Sequence, residues 1–210
     1  MKLVPKLILE GTRLTHKTDL AFALHEHPRV VGARRYRYHS PLISAEWGSL
    51  TNDPWGRGLI NFGAAEETVA LEAYRTWARL FELLRYEAWI VDRFHLSTQV
   101  FQQRTRGLPY DFRWLEERLL VLGFRLIFCV RREETFAAAR LERLKVSGNP
   151  SQYDDLGAFV AEQQALAEAV RASILPSLRV DVSDDDVPSA ADRVADWLES
   201  TGGLTYPAAG

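Results

Sequence analysis

The sequence predicts an α/β fold: a five-stranded parallel sheet flanked by helices on both faces, in three layers. Short apolar runs alternate with longer stretches of helical periodicity along the whole chain, which is the pattern of a parallel sheet covered on both sides. The first run, Leu7-Ile8-Leu9, stops abruptly at Glu10-Gly11, as a buried strand entering a loop does. The 210 residues are 47% hydrophobic and 26% charged, which suits one globular domain over 1–200 with a sizeable core.

Taken in order, strands are expected near 5–9, 29–33, 88–91, 124–130 and 178–182. A short helix over Thr18–His25 follows the first strand, and Val30-Val31 opens the second. A long helix spans Glu66–Tyr86, with Val69, Leu71, Tyr74, Trp77, Leu80, Phe81 and Leu84 recurring three and four apart. Its stripe reads as core or as the face of a homodimer. The strand Ala88–Val91 leads to helices around Thr98–Arg104 and Trp114–Leu122, then to the strand Phe124–Val130. Helices follow over Glu133–Lys145 and Asp154–Ile174, separated by Ser147-Gly-Asn-Pro150. The last strand and helix are Leu178–Val182 and Ala190–Glu199. The uncharged segment 201–210 reads as a flexible tail, and the irregular stretch Tyr36–Gly63 as part of a substrate pocket.

Composition narrows the function classes. Twenty-six Lys and Arg against 28 Asp and Glu give a formal charge of −2, without the basic excess of a generic nucleic-acid binder. The single cysteine, Cys129, makes no internal disulfide and fits a reducing, cytoplasmic setting. No apolar run reaches the roughly 18 residues of a membrane span. The start, MKLVPKLILEG, lacks the features of a signal peptide.

In a parallel sheet, ligands bind at the C-terminal ends of the strands. The first such loop is Gly11-Thr12-Arg13-Leu14-Thr15-His16-Lys17-Thr18. A phosphate-cradling loop is written G-x-x-x-x-G-K-[ST]: backbone N–H groups surround the phosphates, Lys neutralises their oxygens and the hydroxyl holds Mg²⁺. Gly11, Lys17 and Thr18 match, and His16 stands where the second glycine belongs, which fits if its backbone angles are ordinary. The second loop, Asp92-Arg93-Phe94, follows directly on a strand. There an arginine suits a phosphate, and an acid suits a metal-bound water or a hydroxyl.

Together the two segments resemble the thymidylate kinase family of P-loop nucleotide kinases. That family's EGxDGxGKST is matched by Glu10-Gly11 and Lys17-Thr18. Its DRYxxSSxAYQxxxRGL is matched without a gap by Asp92, Arg93, Phe94, Ser97, Thr98, Phe101, Gln102, Arg106, Gly107 and Leu108. The resemblance covers about residues 3–200. It implies a P-loop kinase fold that moves the γ-phosphoryl of ATP, with Mg²⁺, to a small-molecule acceptor, a nucleotide or something like one. It implies donor binding by residues 11–18, Lys17 on the phosphates, Mg²⁺ at Thr18 and Asp92, and Arg93 with Asp92 organising the acceptor. A lid near 136–153 would bring Arg140 and Arg143, on one helix face, over the transferring group.

Candidate acceptor contacts are Arg34, Arg37, Phe62, Glu66, Arg93, Ser97, Phe101 and Gln102. Departures from the family lie mostly on this side. Glu66 stands where the family places an arginine, and a carboxylate there is expected to disfavour a monophosphate and to suit a nucleoside or another hydroxyl compound. His16 and the missing loop glycines leave a second alternative, a nucleotide-binding relative without turnover. His95 is expected to pack or to approach the acceptor, and Asp184-Asp185-Asp186 to cap the last helix.

Overall fold

A computed structural model describes residues 3–30, 42–46, 48–53 and 56–207. Five strands form: β1 (Lys6–Glu10), β2 (Leu42–Ser44), β3 (Trp89–Asp92), β4 (Arg125–Val130) and β5 (Ser177–Asp181). All pair in parallel, in the order β2-β3-β1-β4-β5. The helices are α1 (Lys17–Glu26), α2 (Glu67–Leu83), α3 (His95–Arg106), α4 (Arg113–Val121), α5 (Phe136–Leu144), α6 (Leu156–Ala172) and α7 (Val187–Ser200).

Alternation along the strands divides the core into two layers. Leu7, Leu9, Ile90, Ile127, Cys129 and Val180 point to one face, where α1 contributes Leu20, Ala21 and Leu24 and α7 contributes Ala191, Val194 and Leu198. Ile8, Trp89, Val91, Leu126, Phe128 and Val130 point to the other, against Tyr74, Phe81, Leu115 and Leu166 of α2, α4 and α6. Aromatic rings fill that second layer: Trp77 stacks on Phe94 at 5.4 Å, and Phe81 meets Trp89 and Phe124 at 4.9 Å each. Of the stripe expected on the long helix, Tyr74 and Phe81 are core, whereas Val69, Leu80 and Leu84 are exposed.

The second strand is corrected. Arg29 and Val30 lie in a turn, 31–33 fall outside the described residues, and β2 stands at 42–44. Val30 is apolar because it seals that turn: it is buried against the α1 layer, and its N–H donates to the His27 carbonyl at 3.1 Å. Leu42 and Ile43 alternate between the two layers and pair with Ile90 and Val91.

Within the segment expected to be a tail, the Leu204 carbonyl accepts from Val4 N–H at 2.8 Å, and the Tyr206 ring lies 5.1 Å from that of Tyr86. Among the described residues no helix is long and apolar enough to cross a membrane.

Candidate active site at the C-terminal strand ends

The end of β1 carries the loop 11–16 directly into the first turn of α1 at Lys17. Close packing fixes its first residue. A Cβ on Gly11 would stand 2.7 Å from Thr15 Oγ1 and 2.8 Å from the Cys129 carbonyl, so only glycine fits. Thr15 closes the turn by donating to the Thr12 carbonyl at 2.7 Å. The amides of residues 12–18 donate to no acceptor among the described residues, leaving a concavity of N–H groups at a helix N-terminus. The backbone of His16 is not ordinary: φ is 50° and ψ 18°, in the left-handed region that glycine usually fills.

Glu10, the last residue of β1, is fully buried and caps α3 from a distance. It accepts from the N–H groups of Phe94 and Ser97 at 3.0 and 3.3 Å and from the Ser97 hydroxyl at 2.5 Å. Burial raises its pKa, and these donors with His95 and Arg93 work against the rise. The contact ties the two loops of the site together, since β1 and β3 are neighbours in the sheet.

At the end of β3, Asp92 accepts from the Thr18 hydroxyl at 2.5 Å. Its other oxygen, Oδ1, is buried with no partner among the described residues, and burial pushes the carboxyl pKa up. A hydroxyl and a carboxylate with one uncommitted oxygen suit Mg²⁺, which takes one or two protein oxygens and completes its shell with water and phosphate. Arg93, buried and left-handed at φ 58°, has every nitrogen engaged: Nε donates to Ser97 Oγ at 2.9 Å, one terminal nitrogen donates to Glu162, and the other lies 3.7 Å from Glu46. Burial disfavours its charge, but Glu162, Glu46, Glu10 and Asp92 raise its pKa overall.

Two acids that sequence reasoning missed complete the site. Glu46, two residues past β2, lies 3.6 Å from the Lys17 ammonium. Lys17 above all, then Arg93 and Arg13, hold its pKa down at about 2 against the effect of burial. Glu162 on α6 accepts from the Thr12 hydroxyl at 2.5 Å and from Arg93, bridging the two loops. Burial favours its neutral form, yet Arg93, Thr12 and Lys17 keep its pKa below the usual range. A signal for Glu162 existed: it falls three after Phe159 and four before Leu166, on the buried stripe of its helix. Glu46 had no signal once the second strand was placed near residue 30.

The Glu46 charge carries an acid-sensitivity prediction. Its carboxylate is favoured in the folded state, so its contribution is present above the ordinary pKa of 4.5 and is lost as pH falls toward about 2. Denaturant midpoints of wild type and Glu46→Gln are expected to differ at pH 6, to approach one another below about pH 4.5 and to converge only near pH 2. A constant difference would mean that the ion pair adds nothing to stability.

The remaining predicted residues are placed as follows. Arg140 donates to the Tyr153 carbonyl and to Asp154, both at 2.8 Å, whereas Arg143 donates to the Tyr153 hydroxyl at 3.0 Å. The Tyr153 hydroxyl above all raises the pKa of Arg143 against the effect of burial, and Asp19 and Glu46 add to the rise. Tyr153, Phe136 and Phe159 form a small core that also receives Leu14, so the segment 136–153 rests on the loop 11–16. Ser97 is buried between Glu10 and Arg93, and Gln102 spends its amide on the carbonyls of Ile60 and Phe62 and on Arg106. Both therefore brace the site. Phe62 is buried edge-on against Tyr110, and Phe101 is half-buried. The Glu66 carboxylate is turned to the Gly63 N–H at 2.8 Å and the Arg57 guanidinium at 3.2 Å, so its charge is already matched. His95 is buried against Glu116 at 3.0 Å, in the packing role. Asp186 caps α7 through the Ser189 N–H, whereas Asp185 pairs with His16 and Arg131. Arg34 and Arg37 lie outside the described residues.

No family model and no curated protein matches the sequence. Solved structures do. The YorR protein from Bacillus subtilis, in complex with phosphorylated GDP, is 16% identical over 93% of this chain and 96% of its own, with a TM-score of 0.63. A deoxyadenosine kinase from M. mycoides with bound dATP is 15% identical over 92% of this chain and 99% of its own, with a TM-score of 0.55. A thymidylate kinase from Ehrlichia chaffeensis is 12% identical over 93% of this chain and 98% of its own, with a TM-score of 0.47. The first two establish the fold, a P-loop kinase-like parallel sheet flanked by helices.

Proposed function

We propose that the chain is an ATP- and Mg²⁺-dependent phosphotransferase that moves the γ-phosphoryl group to a hydroxyl of a nucleotide or nucleotide-like acceptor. One observation carries the reading: Lys17, Thr18 and Asp92, with its uncommitted Oδ1, converge beside a loop of undonated amides at the strand ends. Amides 12–18 would hold the phosphates, and Lys17 would neutralise charge developing on the β and γ oxygens. Thr18 and Asp92 would hold Mg²⁺, which would supply positive charge against the triphosphate when bound. Arg143, reaching in from the segment 136–153, would act as a lid cation, with Arg140 fixing that segment to Asp154.

Bond changes in this reading are simple. The acceptor oxygen bonds to the γ phosphorus, the bond to the β–γ bridging oxygen breaks, ADP leaves, and the acceptor proton passes to a carboxylate. We assign that step to Glu46, whose carboxylate lies 3.6 Å from the Lys17 ammonium. The triphosphate would give Lys17 a stronger partner, releasing Glu46 from the ion pair that holds its pKa at about 2 and making it a better base.

A narrower acceptor class is favoured by the surroundings of Arg93. Glu46 and Glu162 already match its charge, leaving little attraction for a phosphate on the acceptor. An uncharged hydroxyl compound such as a nucleoside is therefore expected to react better than its monophosphate. The test is ADP release from Mg-ATP with matched nucleosides and nucleoside monophosphates. Faster turnover with monophosphates would remove this preference, and no turnover with any acceptor, alongside ADP binding, would leave a nucleotide-binding protein. Glu66→Arg is expected to change kcat/KM for monophosphates by less than about threefold, because the carboxylate it replaces is matched by Arg57. A larger gain would show that Glu66 does face the acceptor.

A further inference from the structure

Leu14, His16 and Asp185 have φ values of 66°, 50° and 59°, three left-handed residues that are not glycine. They belong to one network. His16 Nδ1 lies 2.9 Å from Asp19 Oδ2 on α1, and Nε2 lies 2.8 Å from Asp185 Oδ1 in the turn between β5 and α7. Both partners are carboxylates, which accept only, so each ring nitrogen carries a hydrogen. The same Asp185 oxygen accepts from Arg131, whose Nε donates to the Leu14 carbonyl at 2.7 Å. Arg131 follows β4 and is buried. Its own N–H and carbonyl are gripped by the Gln163 side chain of α6 at 2.8 and 2.9 Å.

Both left-handed bends of the donor loop are thus attached to the sheet by side chains. Leu14 hangs from Arg131, and His16 hangs from Asp185, which Arg131 also holds. Glycine would take the bend at residue 16 without help, and histidine needs its ring fixed on both sides.

We propose that His16, Asp185 and Arg131 are positioning residues that hold the donor loop in its phosphate-binding shape, a side-chain clamp in place of the missing loop glycine. The inference rests on the reading that residues 11–18 bind nucleotide, and it makes binding depend on residues more than a hundred positions away in the chain.

The test uses the full chain and ADP, with dissociation constants read by displacement of a fluorescent ADP analogue. His16→Ala is expected to weaken ADP binding by about tenfold, since alanine keeps the left-handed strain and loses both ring contacts. His16→Gly is expected to bind at least about fivefold better than His16→Ala, because glycine removes the strain. Asp185→Ala is expected to weaken binding about tenfold in the wild-type background and less than about threefold in His16→Gly. If Asp185→Ala does not fold, Asp185→Asn, which keeps the shape and an acceptor, serves in the same cycle. A merely structural role would move the acceptor KM as much as ADP affinity, whereas a clamp on the loop leaves the acceptor KM within about twofold.

Equal weakening by His16→Ala and His16→Gly, or an Asp185 effect of the same size in both backgrounds, overturns the clamp. If wild type binds no ADP, the donor reading fails and the clamp with it. If wild type binds and the variants do not separate, only the clamp fails.

Discussion

Lys17→Ala is expected to lower kcat by at least about 10²–10³-fold, the loss seen when one preorganised donor to transition-state charge is removed. The fold is expected to survive. Lys17 sits in the first turn of α1, and its ion-pair partner Glu46 keeps Arg93 as a second cation. The discriminating measurement is a split between effects. Because the ammonium acts on charge that grows as the γ-phosphoryl leaves, kcat falls further than ADP affinity weakens. Loop amides 12–18 remain to bind the diphosphate. ADP release at saturating Mg-ATP, beside ADP dissociation constants and thermal unfolding, gives all three quantities. Unchanged turnover would take Lys17 out of the chemistry, and equal losses in kcat and affinity would make it a binding group only.

Glu46→Gln is expected to have the next largest effect, lowering kcat by about 10²–10⁴-fold if the carboxylate takes the acceptor proton. Phosphoryl transfer has a loose transition state in which the nucleophile is little deprotonated, so the lower half of that range is the better expectation. Glutamine preserves size and one acceptor oxygen, so a loss reports charge and basicity rather than packing. Two routes to a loss can be separated. If Glu46 acts as a base, kcat falls while the KM for the acceptor moves little, and an acidic limb in the pH profile of wild type disappears in the variant. If it only orders Arg93 and Lys17, KM rises and the limb remains. A variant with wild-type kcat and KM would show that Glu46 serves stability alone.

Most of the fold, and the placing of Gly11, Lys17, Thr18, Asp92 and Arg93 together at the strand ends, were legible because their signals are local. A strand that ends in Glu10-Gly11, a Lys-Thr pair opening a helix, and an Asp-Arg pair at the end of β3 each sit within a few residues of one another. Four strands and all seven helices followed from periodicity. The second strand did not, because Val30 resembles a strand residue while serving as the buried seal of a turn. That slip hid Glu46, whose meaning depends on standing just beyond β2. Asp185 was legible as part of an acidic run, but neither it nor Arg131 was legible as a partner of the loop. Their contacts to the loop span 117 and 169 positions, and no short pattern carries such a pairing. Glu66 shows the reverse case. Its reversed charge was plain in the sequence, whereas the arginine that matches it, Arg57, is met only in three dimensions.

The distant anchoring of the loop 11–16 has a consequence for the order in which the molecule is made. β1 and the loop emerge first from synthesis, and the sheet forms around them as β3 and β4 join on either side. His16 has no carboxylate beyond Asp19 until the turn after β5 is in place, 169 positions later. Nascent or truncated chains ending before Asp185 would therefore hold the whole glycine–lysine–threonine segment and still lack the side chain that anchors its bend at His16. If the loop 11–18 binds nucleotide as proposed, ligand-dependent protection during folding is expected only once β5 and α7 have docked, so nucleotide would stabilise the finished protein without assisting the early sheet.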